Sequence, residues 1–283
     1  ERHGLPSAAA AELRELVEGL VADQLGDATA WEPTDATPSV SEAPSTGPRY
    51  QDLGRLGAGA TADVRRVRDT RLERGLAMKV LRAEHLQDAA ACARFARERR
   101  VPALLAHPGI VSVFDHGVLP DGRPWFTMQQ VHGRGLRAVM DDLNRFRGLP
   151  SWDLALREVV ESFTRIVEAM AYAHTQGVLH RDLKPENLMV GDFGEVLILD
   201  WGLARLPDSA PRHADRSMGS PQYRPPEQAL GSAATHTAAS DVYALGVMLH
   251  ELLTGTRPPR AERRTDPVRV DPSQLEPNAL LRK

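Results

Sequence analysis

The stretch His180-Arg181-Asp182-Leu183-Lys184-Pro185-Glu186-Asn187 decides how this 283-residue chain is read. With it goes Asp200-Trp201-Gly202, which begins thirteen residues after Asn187, at the end of a short strand-like run from Val196 to Asp200. Together they offer a carboxylate, an amine and an amide in one loop, then a second carboxylate just past a strand. That set is what phosphoryl transfer needs. One carboxylate can orient a hydroxyl, while the amide and the second carboxylate give a divalent cation hard oxygen ligands. The amine can steady the charge on the moving phosphoryl group.

Working upstream, Gly57-Ala58-Gly59-Ala60-Thr61-Ala62-Asp63-Val64 reads as a phosphate-cradling loop. Glycines at this spacing let backbone N–H groups approach phosphate oxygens closely. The same pattern fits a dinucleotide fold, where a helix should follow. Val64 and Val67, with Arg and Asp between and around them, look instead like a second strand, so a strand–loop–strand hairpin is expected. Lys79 sits in Ala77-Met78-Lys79-Val80, flanked by apolar residues as on a buried strand. A buried ammonium needs an anion, although a lysine on such a strand can also pack its stem and send its amine to solvent. Glu98 lies in a helical stretch, Arg94 to Glu98, and taken singly reads as a solvated helix-face carboxylate.

Composition bounds the rest. With 42% hydrophobic and 26% charged residues the chain is neither wholly disordered nor collagen-like. No apolar run is long enough to cross a bilayer. The net charge of −3 carries no basic excess of the kind that binds nucleic acid. The single cysteine, Cys92, cannot form an internal disulfide and fits a reducing, cytoplasmic setting, and it is expected to be inert. Of 35 basic residues only Lys79, Lys184 and Lys283 are lysines. Scattered at random, three lysines would rarely fall on both interior positions already singled out. A guanidinium is a wide planar fork, and these positions call for a compact point charge.

Three regions separate along the chain. Residues 1–26 carry Leu13, Leu16, Val17, Leu20 and Val21 at the spacing of one helical face, with Ser7 as cap and Gly26 as stop. Residues 27–48, with Pro33, Pro38, Pro44 and Pro48, read as a linker. From residue 49 the texture is globular. Strand-like pieces dominate to about residue 82, and a helix is expected over 86–106. Further strands then flank a turn at Asp121-Gly122, and long helices follow Pro150. Val159, Phe163, Ile166 and Met170 line one face of such a helix, and Val242 to Leu253 forms another.

In this order the motifs resemble the protein kinase superfamily, and more narrowly the eukaryotic-like Ser/Thr kinases of bacteria. The resemblance covers about residues 50–256: glycine loop, strand lysine, helix glutamate, the Asp182 loop, the Asp200 triplet and Pro225-Pro226-Glu227. It implies an α+β fold of two lobes, a mostly β N-lobe (49–130) and a mostly α C-lobe (131–283). It also implies ATP and Mg²⁺ as cofactors and protein Ser/Thr hydroxyls as acceptors. By the resemblance Asp182 orients the acceptor hydroxyl, Lys184 contacts the γ-phosphate, and Asn187 and Asp200 hold the metal. Lys79 reaches the α- and β-phosphates and pairs with Glu98. Leu56, Val64, Ala77, Met128, Val131 and Met189 line the adenine, with Gln129 to Val131 as the hinge. Arg181 receives a phosphate from the activation segment (residues 200–227), with Ser217 expected to carry it and Ser209 as the alternative. His107 and His174 match structural positions.

Asp192-Phe193-Gly194 spells the family's metal triplet but lies only five residues after Asn187. The resemblance implies a hairpin of two short strands between them, which Met189-Val190 and Val196 to Leu199 can supply, so Asp192 to Glu195 is expected to be its turn. The sequence departs from the family at Ala62, Gln129, Trp201 and Pro225. Only 28 residues follow Gly255, and the Arg that pairs with Glu227 in the family has no counterpart among them. The C-lobe is therefore expected to be cut short, and a chain without an initiator Met to be a fragment. The rival reading is a catalytically silent scaffold that binds partners or nucleotide. A small-molecule kinase is disfavoured by the peptide-type segment ending at Pro226-Glu227. The N-terminal helix is read in three ways: it mediates self-association, it docks on a lobe, or it is a weakly ordered helix tethered by the linker.

Overall fold

The computed structural model describes residues 48–149, 151–207, 220–225 and 236–258. The N-terminal helix and linker, Ser209, Ser217 and Pro226-Glu227 lie outside them.

Five antiparallel strands form the first lobe: β1 (Tyr50–Ala58), β2 (Ala62–Asp69), β3 (Arg74–Leu81), β4 (Val113–Val118) and β5 (Pro124–Met128), in the order β1-β2-β3-β5-β4. Alternation along β3 separates the sheet's two faces. Leu76, Met78 and Val80 pack with Val67 on one side, under Tyr50, Leu119 and Trp125. On the other side Leu81 and Phe126 meet Phe95 of the helix α1 (Ala89–Leu104). α1 starts where the Asp88 carboxylate accepts the N–H groups of Ala90 and Ala91, at 2.8 and 3.1 Å, satisfying two orphan donors of the first turn. The turn at Asp121-Gly122 closes β4 onto β5, with Gly122 at φ 86°, which its missing Cβ permits.

A short strand β6 (Gly133–Gly135) leads into α2 (Leu136–Arg145) and α3 (Trp152–Thr175). The hairpin β7 (Leu188–Gly191) and β8 (Val196–Ile198) follows, and α4 (Ala238–Thr254) is the last described helix. Val159, Phe163, Ile166 and Met170 all lie on the buried face of α3, as their spacing predicts. They form one core with Leu136 and Met140 of α2, Trp201, and Met248 of α4. Each such side chain contributes about 1.5–3 kcal/mol by leaving water. α4 begins in a reciprocal cap, Thr237 with Ser240, and stops at Gly255, whose φ of 75° closes a bond to the Glu251 carbonyl. The expected α+β arrangement is thus present.

Two sequence expectations need adjusting. α2 went unread, because only ten residues follow a glycine-rich strand and the long-helix pattern starts later. The strand run near Asp200 ends at Ile198, since Asp200 turns into the left-handed region (φ 55°) and caps a 3₁₀ turn at Trp201–Leu203.

Candidate active site

The glycine loop lies between β1 and β2, as the hairpin reading expects. Gly57 and Ala58 end β1, Ala62 to Val64 begin β2, and Gly59 N–H closes the turn on the Ala62 carbonyl at 2.8 Å. A Cβ at Gly57 would meet nothing within 4 Å, so one side of the loop is open space. Asp63 ties the arms together by accepting from Arg55 of β1 and from Arg82 just past β3, at 3.1 and 3.2 Å.

Register places the neighbouring candidates. Val64 stands opposite Lys79, and Ala77 opposite Met128. By the two-residue alternation of strands, Ala77 and Lys79 share a face. Leu56 is exposed, as is Gln129, while Val131 and Met189 are half-buried. Lys79 does not snorkel. Its ammonium pairs with the Glu98 carboxylate of α1, and both side chains are largely buried. Burial alone would lower the Lys79 pKa, but Glu98 and Asp200 outweigh it and hold the amine protonated above its ordinary value. The α1 glutamate is therefore an ion-pair partner, not a solvated one.

The second half of the site is a tight loop. The Asp182 carboxylate, nearly buried, accepts Lys184 Nζ on Oδ2 at 2.9 Å. Asn187 Nδ2 donates to the Asp182 carbonyl at 2.8 Å and to Oδ2 at 3.4 Å. Ser220 donates both its N–H and its hydroxyl to Oδ1, at 2.7 and 2.9 Å. Asp182 N–H meets His180 Nδ1 at 3.3 Å, and His180 Nε2 lies 3.0 Å from the Leu199 carbonyl. In these contacts Nδ1 serves as the acceptor and Nε2 as the donor. The turn holds Arg181 at φ 72°, a left-handed conformation that costs a non-glycine residue about 1–3 kcal/mol. Asp241 of α4 holds that backbone in place. Its buried carboxylate accepts the N–H groups of His180 and Arg181, each at 2.9 Å, and faces His174 Nε2 at 2.9 Å.

Asp200 lies at the end of the β7–β8 hairpin, with Oδ1 accepting Gly202 N–H at 3.3 Å. Arg97 of α1 donates to the Gly202 carbonyl at 2.9 Å, joining the helix that carries Glu98 to the segment that carries Asp200. Trp201 is fully buried, its indole N–H on the Ile198 carbonyl at 3.2 Å and its ring against His180. Asp192 to Glu195 is the hairpin turn, with Phe193 94% exposed. Asn187 spends its amide N–H groups on Asp182, which leaves its side-chain oxygen as an acceptor. That oxygen and the Asp200 carboxylate are each hard donors of the kind Mg²⁺ takes.

His107 and His174 have structural partners, the Gly109 N–H and Asp241. Cys92 is half-buried, with its thiol toward the carbonyls of His85 and Leu86. Two features of the site were not assigned from sequence: the contact of Ser220 with Asp182 and the clamp made by Asp241. Each pairs residues far apart in the chain, and local patterns do not report such pairs. No helix among the described residues is long and apolar enough to cross a membrane.

A profile of the family described as "Protein kinase domain" matches residues 50–280. The chain is 37% identical to serine/threonine-protein kinase pkn3 of Myxococcus xanthus, over 74% of this chain and 38% of that protein. It is 39% identical to a probable serine/threonine-protein kinase, PknB of Lactococcus lactis, over 74% of this chain and 32% of that protein. To serine/threonine-protein kinase PknA of Mycobacterium tuberculosis it is 38% identical, over 74% of this chain and 48% of that protein. It thus spans less than half the length of these curated relatives. The profile match, these likenesses and the geometry above agree that the chain belongs to the protein kinase family.

Proposed function

We propose that this chain transfers the γ-phosphoryl group of ATP to Ser or Thr hydroxyls of proteins, its own activation segment included. The observation that carries the reading is the convergence of Lys184 and Asn187 on the Asp182 carboxylate, alongside a buried Lys79–Glu98 pair that also feels Asp200. In this reading the glycine loop at 57–64 cradles the phosphates and Lys79, fixed by Glu98, neutralises two of them. The adenine sits among Leu56, Val64, Ala77, Met128, Val131 and Met189, and its edge meets the backbone at Gln129 to Val131. Asn187 and Asp200 hold Mg²⁺, which when bound neutralises the phosphate charge. Asp182 orients the acceptor hydroxyl and takes its proton, and Lys184 meets the phosphoryl oxygens. The reading also takes residues 49–283 as the kinase domain, 27–48 as a linker and 1–26 as a helix for pairing with another chain or for docking on a lobe, in a cytoplasmic protein.

The test incubates the protein with labelled ATP and Mg²⁺ beside Lys79→Met and Asp182→Asn. Label should enter protein Ser or Thr in the parent and fall to background in both variants. Equal incorporation in all three would overturn the assignment.

A further inference from the structure

Arg137, the second residue of α2, makes more connections than a surface arginine needs. Its Nε donates to Glu186 Oε1 at 3.2 Å, and its Nη2 to the Tyr223 hydroxyl at 2.5 Å. Nη1 and Nη2 also reach the two oxygens of Glu251 on α4, at 2.8 and 3.4 Å. Tyr223 accepts from Arg137 and donates onward to Glu251 Oε2 at 2.8 Å, so every polar atom of that triangle is used. Glu251 and Tyr223 are buried, and Arg257 adds a second guanidinium to Glu251 at 3.1 Å. A planar fork with five donors can serve three acceptors in three directions, and an ammonium cannot hold that geometry.

Both arms lead to Asp182. Glu186 sits in the 3₁₀ turn Pro185–Asn187, directly before Asn187, whose amide holds the Asp182 carbonyl. Tyr223 closes a turn on Ser220 through its N–H to the Ser220 carbonyl at 3.1 Å, and Ser220 holds Asp182 Oδ1 twice. Arg137 therefore grips the acceptor side of the site from two directions while touching neither Asp182 nor Lys184.

We propose that Arg137 is a positioning residue for phosphoryl transfer, which through Glu186 and Tyr223 fixes the loop carrying Asp182 and the segment carrying Ser220. This inference rests on the phosphoryl-transfer reading above. It places Arg137 outside the nucleotide pocket, so its loss should act on turnover and not on ATP affinity.

The experiment compares the parent with Arg137→Lys, Arg137→Met, Tyr223→Phe and the double variant Arg137→Met/Tyr223→Phe. Transfer to a protein substrate and the Kd of a fluorescent ATP analogue are both measured. Arg137→Met should lower kcat about 10- to 100-fold with the nucleotide Kd within twofold of the parent. Arg137→Lys should recover only part of it. Tyr223→Phe should lower kcat less, and the double variant should be no slower than Arg137→Met, because both act along one path. Parent-like kcat in Arg137→Met overturns the proposal, as does a strictly multiplicative double variant. If Arg137→Met does not fold, parent-like kcat in Tyr223→Phe overturns it alone. A parent without transfer counts against the phosphoryl-transfer reading instead. Amide hydrogen exchange then decides the positioning claim: exchange at residues 220–223 should quicken about tenfold in the Arg137 variants, with the β7–β8 hairpin unchanged. Unchanged exchange at 220–223 overturns it.

Discussion

Ser220 and Asp182 are joined by two hydrogen bonds to a single oxygen, the serine N–H at 2.7 Å and its hydroxyl at 2.9 Å, both on Asp182 Oδ1. They are 38 residues apart in the chain. The serine N–H and hydroxyl hold one oxygen of the carboxylate, and Lys184 holds the other at 2.9 Å. The carboxylate plane is thus set before any acceptor arrives, which is the preorganisation that positioned catalysis requires.

Replacing Ser220 by Ala removes the hydroxyl bond and leaves the N–H bond. A hydrogen bond to a charged group is worth about 1.5–3 kcal/mol, so kcat should fall by about one to two orders of magnitude. Ser220→Thr keeps the hydroxyl and should stay within about threefold of the parent. Steady-state transfer rates decide, and an Ala variant as fast as the parent would show that the hydroxyl does not orient Asp182.

Two stretches of this chain can be spelled as a metal-binding triplet, and the structure separates their environments. Asp192 stands in a tight turn whose Phe193 points to solvent, while Asp200 adjoins the buried Trp201 and acts electrostatically on Lys79. Asp200→Asn should remove transfer and weaken Mg²⁺-dependent nucleotide binding. Asp192→Asn should change neither by more than about twofold, as expected of an exposed turn. Titration of Mg²⁺ against a fluorescent nucleotide with both variants distinguishes them, and loss of binding in Asp192→Asn would reverse the assignment.

The hairpin turn at Asp192 to Glu195 was legible in the sequence once the family resemblance called for a hairpin after Asn187, because two short apolar runs flank it. The glycine loop, the Lys79 strand and the buried stripe of α3 were legible for the same reason. Each is encoded within a few residues by alternation, helical spacing or glycine placement. The partnership of Lys79 with Glu98 could be suggested only by the family resemblance, since Glu98 by itself looks like any helix-face carboxylate. Arg137 was invisible for a further reason. Its partners Glu186, Tyr223 and Glu251 come from three separate segments, the last 114 residues away. No periodicity links such residues, and the α2 helix that presents Arg137 was itself too short to stand out.

Trp201 occupies the position where the family usually has Phe, and its ring uses the extra atom. The indole N–H bonds the Ile198 carbonyl at 3.2 Å in a fully buried setting. Trp201→Phe keeps an aromatic ring against His180 but removes that donor and leaves a void beside it. The hydrogen bond alone is worth about 1 kcal/mol. Tm should drop by about 2–4 °C or more, as thermal unfolding would show. A variant as stable as the parent would mean that the indole bond contributes nothing net.

Asp241 supplies the pH dependence. Burial alone would raise its carboxyl, but the bond from His174 and the N–H groups of Arg181 and His180 outweigh burial and hold it below the usual carboxylate range. A carboxyl whose pKa is depressed by folding contributes stability that is fully present above its unfolded value of about 4. That contribution is lost as the pH falls through the unfolded value toward the folded one. Asp241→Asn keeps the shape but turns one acceptor oxygen into an NH₂ that faces a backbone N–H or the His174 ring. The variant should be less stable by about 1–3 kcal/mol at pH 7.5, since a buried donor is left without its acceptor. Below about pH 4 the unfolded parent takes up a proton that the native Asp241 carboxylate does not, so the parent's advantage shrinks and the gap should narrow. Denaturant titrations of both proteins at pH 7.5 and pH 3.5 measure it. An equal gap at the two pH values would mean that the Asp241 contribution is one of packing and not of charge.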